Sequence, residues 1–267
     1  MRVARVLAPA LTVLAVVFAG AAPVSAAPAA IGKYVALGDS YAVAPGTRTY
    51  DDPDDACRRG PLAYPRLWAA AHPAATFVEA SCSGARTADV RTQAAALTPD
   101  TSLVTVQVGG NDAGFVDVLG ACILTLDDRD CVSRTEQAKL VTRTELPSAL
   151  SGLYAAIRAA APSARVVVVG YPRIYQIGGN CGIFGLSDTE RSALNSSADA
   201  LAEVTSAEAA AAGFTFLDAR TVFDGHGLCT GSEWLTSLEW SKLDESYHPN
   251  PAGHRAGYLA ALTALVG

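Results

Sequence analysis

The sequence predicts a three-layer α/β domain, a parallel sheet covered on both faces by helices. Three observations point there. Short apolar runs alternate with helix-like stretches from residue 34 to the end. One of them, residues 165–170, is apolar without alternation, as in a strand buried on both faces. The first three runs end in turns containing glycine, and a parallel sheet with right-handed crossovers brings such turns to one rim.

Arg2 and Arg5, an apolar run over residues 11–18 and small residues around Ala26 and Ala27 have the layout of a secretory signal peptide spanning residues 1–27. Residues 6–24 come close to the length of a bilayer-spanning helix, but Pro23 and the small-residue end favour cleavage over a retained anchor. Residues 28–267 are then expected outside the cell as one domain. Without Arg2 and Arg5 the 20 basic residues fall to 18 against 26 acidic ones, a net charge of −8. That balance argues against a nucleic-acid partner and against electrostatic attachment to anionic lipid.

The first strand is the run Tyr34-Val35-Ala36-Leu37, ending abruptly at Gly38-Asp39-Ser40-Tyr41. A polar loop over residues 45–60 follows, with the acidic run Asp51-Asp52-Pro53-Asp54-Asp55, which lacks the alternating ligands and glycine turn of a calcium loop. Residues 62–71 read as a short helix and 76–80 as the second strand. Ser83-Gly84-Ala85 then opens a helix, a way of pointing free backbone N–H groups at an anion. The third strand, residues 103–108, ends in Gly109-Gly110-Asn111-Asp112. Residues 135–161 are helical, with Pro147 marking a kink or break. After the strand at 165–170, Ser187 and Glu190 form a capping box for a helix reaching residue 212. A fifth strand at 214–217 and a closing helix at 251–266 complete the pattern.

Six cysteines in an exported chain suggest three disulfides. Fifteen pairings are possible. Spacing favours the sequential set, Cys57 with Cys82, Cys122 with Cys131, and Cys181 with Cys229. No Cys-x-x-Cys pair exists and only four histidines are present, so no metal site is expected.

A serine at the end of the first strand is a weak nucleophile until a base takes its proton. His248 is the candidate base: Pro249 excludes it from the helical region and holds it on a loop at a helix entrance. His72, His226 and His254 read as structural, although His254 could approach the site.

Four blocks in order, Gly38-Asp39-Ser40-Tyr41, Gly84, Gly109-Gly110-Asn111-Asp112 and His248-Pro249-Asn250, resemble those of the SGNH hydrolases, also called GDSL lipases and esterases. With the six cysteines they are similar to the secreted actinobacterial lipases and phospholipases of that family. The resemblance implies a flavodoxin-like fold with five parallel strands, an acyl-enzyme mechanism, no cofactor and a catalytic domain over residues 28–267. Carried over, Ser40 is the nucleophile and His248 the base. The N–H groups of Ser40 and Gly84 and the amide of Asn111 form the oxyanion hole. Many members have aspartate three residues before the histidine, where this chain has Glu245, with Asp244 one residue earlier. Three groups could therefore orient the imidazole: the Ser246 carbonyl, Glu245 or Asp244.

The expected substrate is a lipid ester. An acyl pocket would be lined by residues 175–186, or by Phe115, Val116, Val118 and Leu119. A polysaccharide acetyl esterase, using Trp234 and Trp240, is the second reading, and a non-catalytic binding protein the third. A monomer with no stable membrane insertion is expected.

Overall fold

The computed structural model describes Met1 and residues 31–124, 127–179, 181 and 185–267. All of the expected signal peptide except Met1 lies outside them. Contacts divide the chain into Met1–Ala30 and Ile31–Gly267, and the second unit holds the sheet and its flanking helices.

Strands β1 (Lys33–Gly38), β2 (Thr76–Glu79), β3 (Leu103–Gln107), β4 (Arg165–Val169) and β5 (Thr215–Leu217) form one sheet in the order β2-β1-β3-β4-β5. Every pairing is parallel. β1 and β3 are buried almost throughout, which is why their sequences are apolar on both faces, whereas edge strand β2 is only partly covered. The chain leaves β1 for one edge and returns past it to β3. The crevice of this strand order therefore opens between the carboxyl ends of β1 and β3.

Helices α1 (Tyr64–Ala71), α2 (Thr87–Gln93), α3 (Phe115–Leu124), α4 (Asp128–Thr144), α5 (Leu146–Ala160), α6 (Asp188–Ala211), α7 (Ala219–Val222) and α8 (Ala260–Val266) flank the sheet. They pack as two groups: α2 to α6 with one another, and α1, α7 and α8 with a π-helical segment, Gly253–Leu259. The expected capping box is formed, with Ser187 and Glu190 each accepting the other's backbone N–H.

Of the kink or break expected at Pro147 the structure has the break: α4 ends at Thr144 and α5 begins at Leu146 with the proline in its first turn, where no N–H is needed. Two other elements differ from expectation. α3 was not foreseen because Phe115-Val116-Asp117-Val118-Leu119 carries apolar residues too densely to show a helical period. The closing helix starts as a π-helix. A Cβ at Gly253 would lie 2.2 Å from the Trp234 carbonyl oxygen, and one at Gly257 2.8 Å from the Phe223 ring, so this segment runs against its neighbours more closely than side chains permit.

The disulfides join Cys57 to Cys82, Cys122 to Cys131 and Cys181 to Cys229. The first ties the loop after β1 to the end of β2, and the second clamps α3 to α4.

Candidate active site

β1 ends at Gly38, whose φ is +146°. A side chain there would put a Cβ 2.5 Å from the Gln107 carbonyl oxygen of β3. Only glycine lets the two strand ends approach so closely. The Gln93 amide of α2 then holds the Gly38 peptide from both sides, accepting its N–H at 2.8 Å and donating to its carbonyl at 3.0 Å. Beyond this point the chain turns and presents Ser40.

Ser40 Oγ lies 2.7 Å from Nε2 of His248. The serine and the histidine are 208 positions apart in the chain. His248 sits on a loop fastened to its surroundings through the backbone: its carbonyl accepts the Thr236 N–H at 2.8 Å, and the Tyr247 N–H donates to the Thr236 carbonyl at 2.7 Å. Tyr247 has a φ of +65°, a strained conformation for a side chain of this size. Tyr41, next to the serine, holds it there, its hydroxyl donating to the Tyr247 carbonyl at 2.6 Å. Tyr41 also packs its ring 5.4 Å from the His248 ring.

Neither acidic neighbour reaches His248. Asp244 pairs with Arg58 at 2.7 Å. Glu245 accepts the Tyr50 hydroxyl at 2.8 Å and faces Arg48 at 3.1 Å and Lys242 at 3.5 Å. Nδ1 of His248 has no partner in full hydrogen-bond geometry. The backbone carbonyls of Glu245 and Ser246 face the ring and favour its protonated form without completing a hydrogen bond to it. Burial draws the pKa of His248 down from 6.5 to about 4, and the two carbonyls and the Asp244 charge oppose that fall. The ring is therefore neutral at pH 7, with Nδ1 toward the carbonyls and Nε2 open to the serine proton.

The loops after β2 and β3 close the site. The Asn111 amide donates one N–H to the Ala85 carbonyl at 3.0 Å, which fixes its orientation and leaves the second N–H free. Asp112 accepts the Thr87 N–H at 3.1 Å and the Thr87 hydroxyl at 2.6 Å, binding the two loops together. The backbone N–H groups of Ser40 and Gly84 have no acceptor among the described residues. Ser40, Gly84, Asn111 and His248 all line the same cavity.

Asp39 lies beneath the serine, 1% exposed. It accepts the Tyr41 N–H at 3.0 Å and the Tyr171 hydroxyl. Burial lifts its pKa to about 7, and the nearby Asp112 charge adds to the rise against those hydrogen bonds. Both carboxyl oxygens are engaged in these bonds, and they hold the turn.

The cavity, about 250 Å³, runs from Ser40 into an apolar space walled by α3, α4 and α6. Phe115, Val116, Val118 and Leu119 all contribute to it, while no described residue of segment 175–186 does. Asn180 and residues 182–184 of that segment lie outside the described residues. The remaining histidines pack elsewhere. His72 stacks on Trp68 and His226 on Trp234, while His254 is fully buried and accepts the Tyr64 N–H at 3.2 Å. Tyr171, Tyr247 and Gln93 carried no sequence signal, since each acts through a contact between distant segments.

The family model for GDSL-like lipases and acylhydrolases matches residues 36–256. The chain is 49% identical over 245 residues to Lipase 1 of Streptomyces coelicolor, covering 91% of this chain and 90% of that protein. The crystal structure of phospholipase A1 from Streptomyces albidoflavus NA297 matches with a TM-score of 0.84 at 46% identity, over 88% of this chain and 99% of that one. The extracellular lipase of Streptomyces rimosus matches at 0.83 and 43%, over 87% and 99% respectively.

Proposed function

The chain belongs to the GDSL-like lipase and acylhydrolase family and is a carboxylic ester hydrolase, and from that premise we propose that it is a secreted serine esterase acting on lipid esters, of the lipase or phospholipase A type. The observation that carries this reading is the 2.7 Å contact between Ser40 Oγ and His248 Nε2 at the head of an apolar cavity.

In this mechanism the Ser40 hydroxyl gives its proton to Nε2 as Oγ attacks the ester carbonyl. Negative charge develops on the carbonyl oxygen. The Ser40 and Gly84 N–H groups and the free N–H of Asn111 receive it without reorganising. The imidazolium then protonates the departing alcohol, leaving an acyl group on Ser40. Water, deprotonated by His248, releases the fatty acid and restores the serine. The carbonyls of Glu245 and Ser246 stabilise the imidazolium at Nδ1, in the part an acidic residue plays in a triad. No step calls for a cofactor or metal.

The acyl chain lies in the cavity beside Phe115, Val118 and Leu119, which hold it by burial of apolar surface. The protein acts as a monomer outside the cell, over residues 28–267 after loss of residues 1–27. Extracellular action is supported by the three disulfides and by the likeness to an extracellular lipase. Among the described residues no helix is long and apolar enough to cross a membrane.

Acyl release from a phosphatidylcholine with two different acyl chains, run beside acetylated xylan and a Ser40→Ala control, tests the proposal. Fatty acid release that vanishes in the variant supports it and reads out the positional preference. Acetate from xylan with negligible fatty acid would replace the lipid reading with the carbohydrate one. Failure of Ser40 to react with a fluorophosphonate would point to a binding protein.

A further inference from the structure

Trp240 and Leu243 are 65% and 57% exposed, on the loop that leads into His248. Val116 on α3 is 66% exposed. Leu243 and Val116 are at the same time part of the wall of the cavity that holds Ser40. An apolar surface that continues from solvent into a catalytic cavity is costly in water and marks a place where something apolar docks.

The charges around Trp240 and Leu243 cancel. Arg48 pairs with Glu239 and Glu245, Arg58 with Asp244, and Lys242 with Glu245, three cations against three carboxylates. Such a face has no net attraction for an anionic surface, and its chain is acidic overall, at −6. It suits a surface that is apolar within and electrically neutral outside. A tryptophan, with an apolar body and one N–H donor, favours the headgroup level of a bilayer.

We propose that Trp240 and Leu243, with Val116, form a docking collar that seats the cavity mouth on a zwitterionic lipid surface, with the Trp240 indole at the headgroup level. An acyl chain then passes from the lipid into the cavity without crossing water. This deepens the lipid-ester reading, but its test does not depend on turnover.

The three tryptophans make the test specific. Trp68 is 1% exposed and Trp234 is half-buried and stacked on His226 at 3.6 Å, so Trp240, at 65% exposure, is the tryptophan best placed to respond to lipid. The experiment titrates the Ser40→Ala protein with phosphatidylcholine vesicles and records tryptophan emission, with and without bromine on the acyl chains. A blue shift and bromine quenching are expected, both lost in Ser40→Ala/Trp240→Phe. In a protein with Ser40 intact, Trp240→Ala should lower the ratio of vesicle to soluble-ester hydrolysis about tenfold, as the buried apolar area falls. The proposal is overturned if the double variant keeps the shift, or if anionic vesicles bind much better than zwitterionic ones. It is also overturned if Trp240→Ala dissociates a dimer while vesicle binding persists, since a second copy would then cover the face. Vesicle binding without any ester hydrolysis by the intact protein would uphold the collar and remove the enzymatic reading.

Discussion

His248 is placed by main-chain groups while the two carboxylates closest in sequence are occupied elsewhere, and this shapes what substitutions should do. Asp244→Ala and Glu245→Ala should each retain kcat within about tenfold, because neither carboxylate touches the imidazole; a loss near 10,000-fold in either, the size expected when a triad acid is removed, would contradict this. Asn111→Ala should lower kcat by about 100- to 1,000-fold with little change in unfolding midpoint, as removal of an oxyanion donor does. The pKa of about 4 at His248 predicts that kcat/KM holds down to roughly that pH, well below the 6.5 of an unperturbed imidazole. Stability has its own pH dependence. The unfolded chain takes up a proton at His248 below about pH 6.5 while the folded protein resists until about 4, so stability falls as pH drops through that window. Asp39 runs the other way, contributing stability at low pH that is lost as pH rises from the unfolded value of 3.8 through about 7. Asp39→Ala leaves the Tyr41 N–H and Tyr171 hydroxyl unpaired and should cost about 1–3 kcal/mol in urea unfolding, with Asp39→Asn milder.

At the scale of elements, the site depends on how closely the histidine loop can approach the loop after β1. Gly46 is the point of contact: a Cβ there would lie 2.5 Å from the Pro249 carbonyl oxygen and 2.8 Å from that of His248. Gly46→Ala should therefore push the histidine loop outward, costing about 1–3 kcal/mol of stability by overpacking. A shift near 1 Å lowers kcat by about 100-fold, which steady-state kinetics on a soluble ester would register. Gly46 lies in a loop whose composition shows only that it is irregular, so nothing in the sequence singles it out. The same holds for the π-helical start of the last helix. The sequence reads as a helix at 251–266, and only the packing of Gly253 on Trp234 and of Gly257 on Phe223 reveals the wider winding. The strands were legible to within a residue or two because periodicity and β-branching are local properties. α3 was not, since an apolar run that lines a cavity has no polar face to supply a period.

For the whole molecule, the strand order β2-β1-β3-β4-β5 sets the crevice at β1 and β3. Cys57–Cys82 connects two of the loops that carry the site. Replacing both of these cysteines by serine should lower stability by about 2–4 kcal/mol and reduce activity at temperatures where the wild type is still folded, as followed by thermal melting beside ester hydrolysis. By itself the sequence determined the α/β class, the number and order of the strands, the cysteine pairing favoured by spacing, and the four blocks that meet at one cavity. All of these follow from local pattern: period, turn residues and spacing along the chain. That neither acidic neighbour reaches His248 was decided only in the tertiary structure. Asp244 and Glu245 both lie close to the histidine in sequence, and what removes them is a set of partners, Arg58 and Tyr50, 186 and 195 positions upstream. A carboxylate is drawn to the nearest well-placed donor, and that distance exists only once the chain has folded.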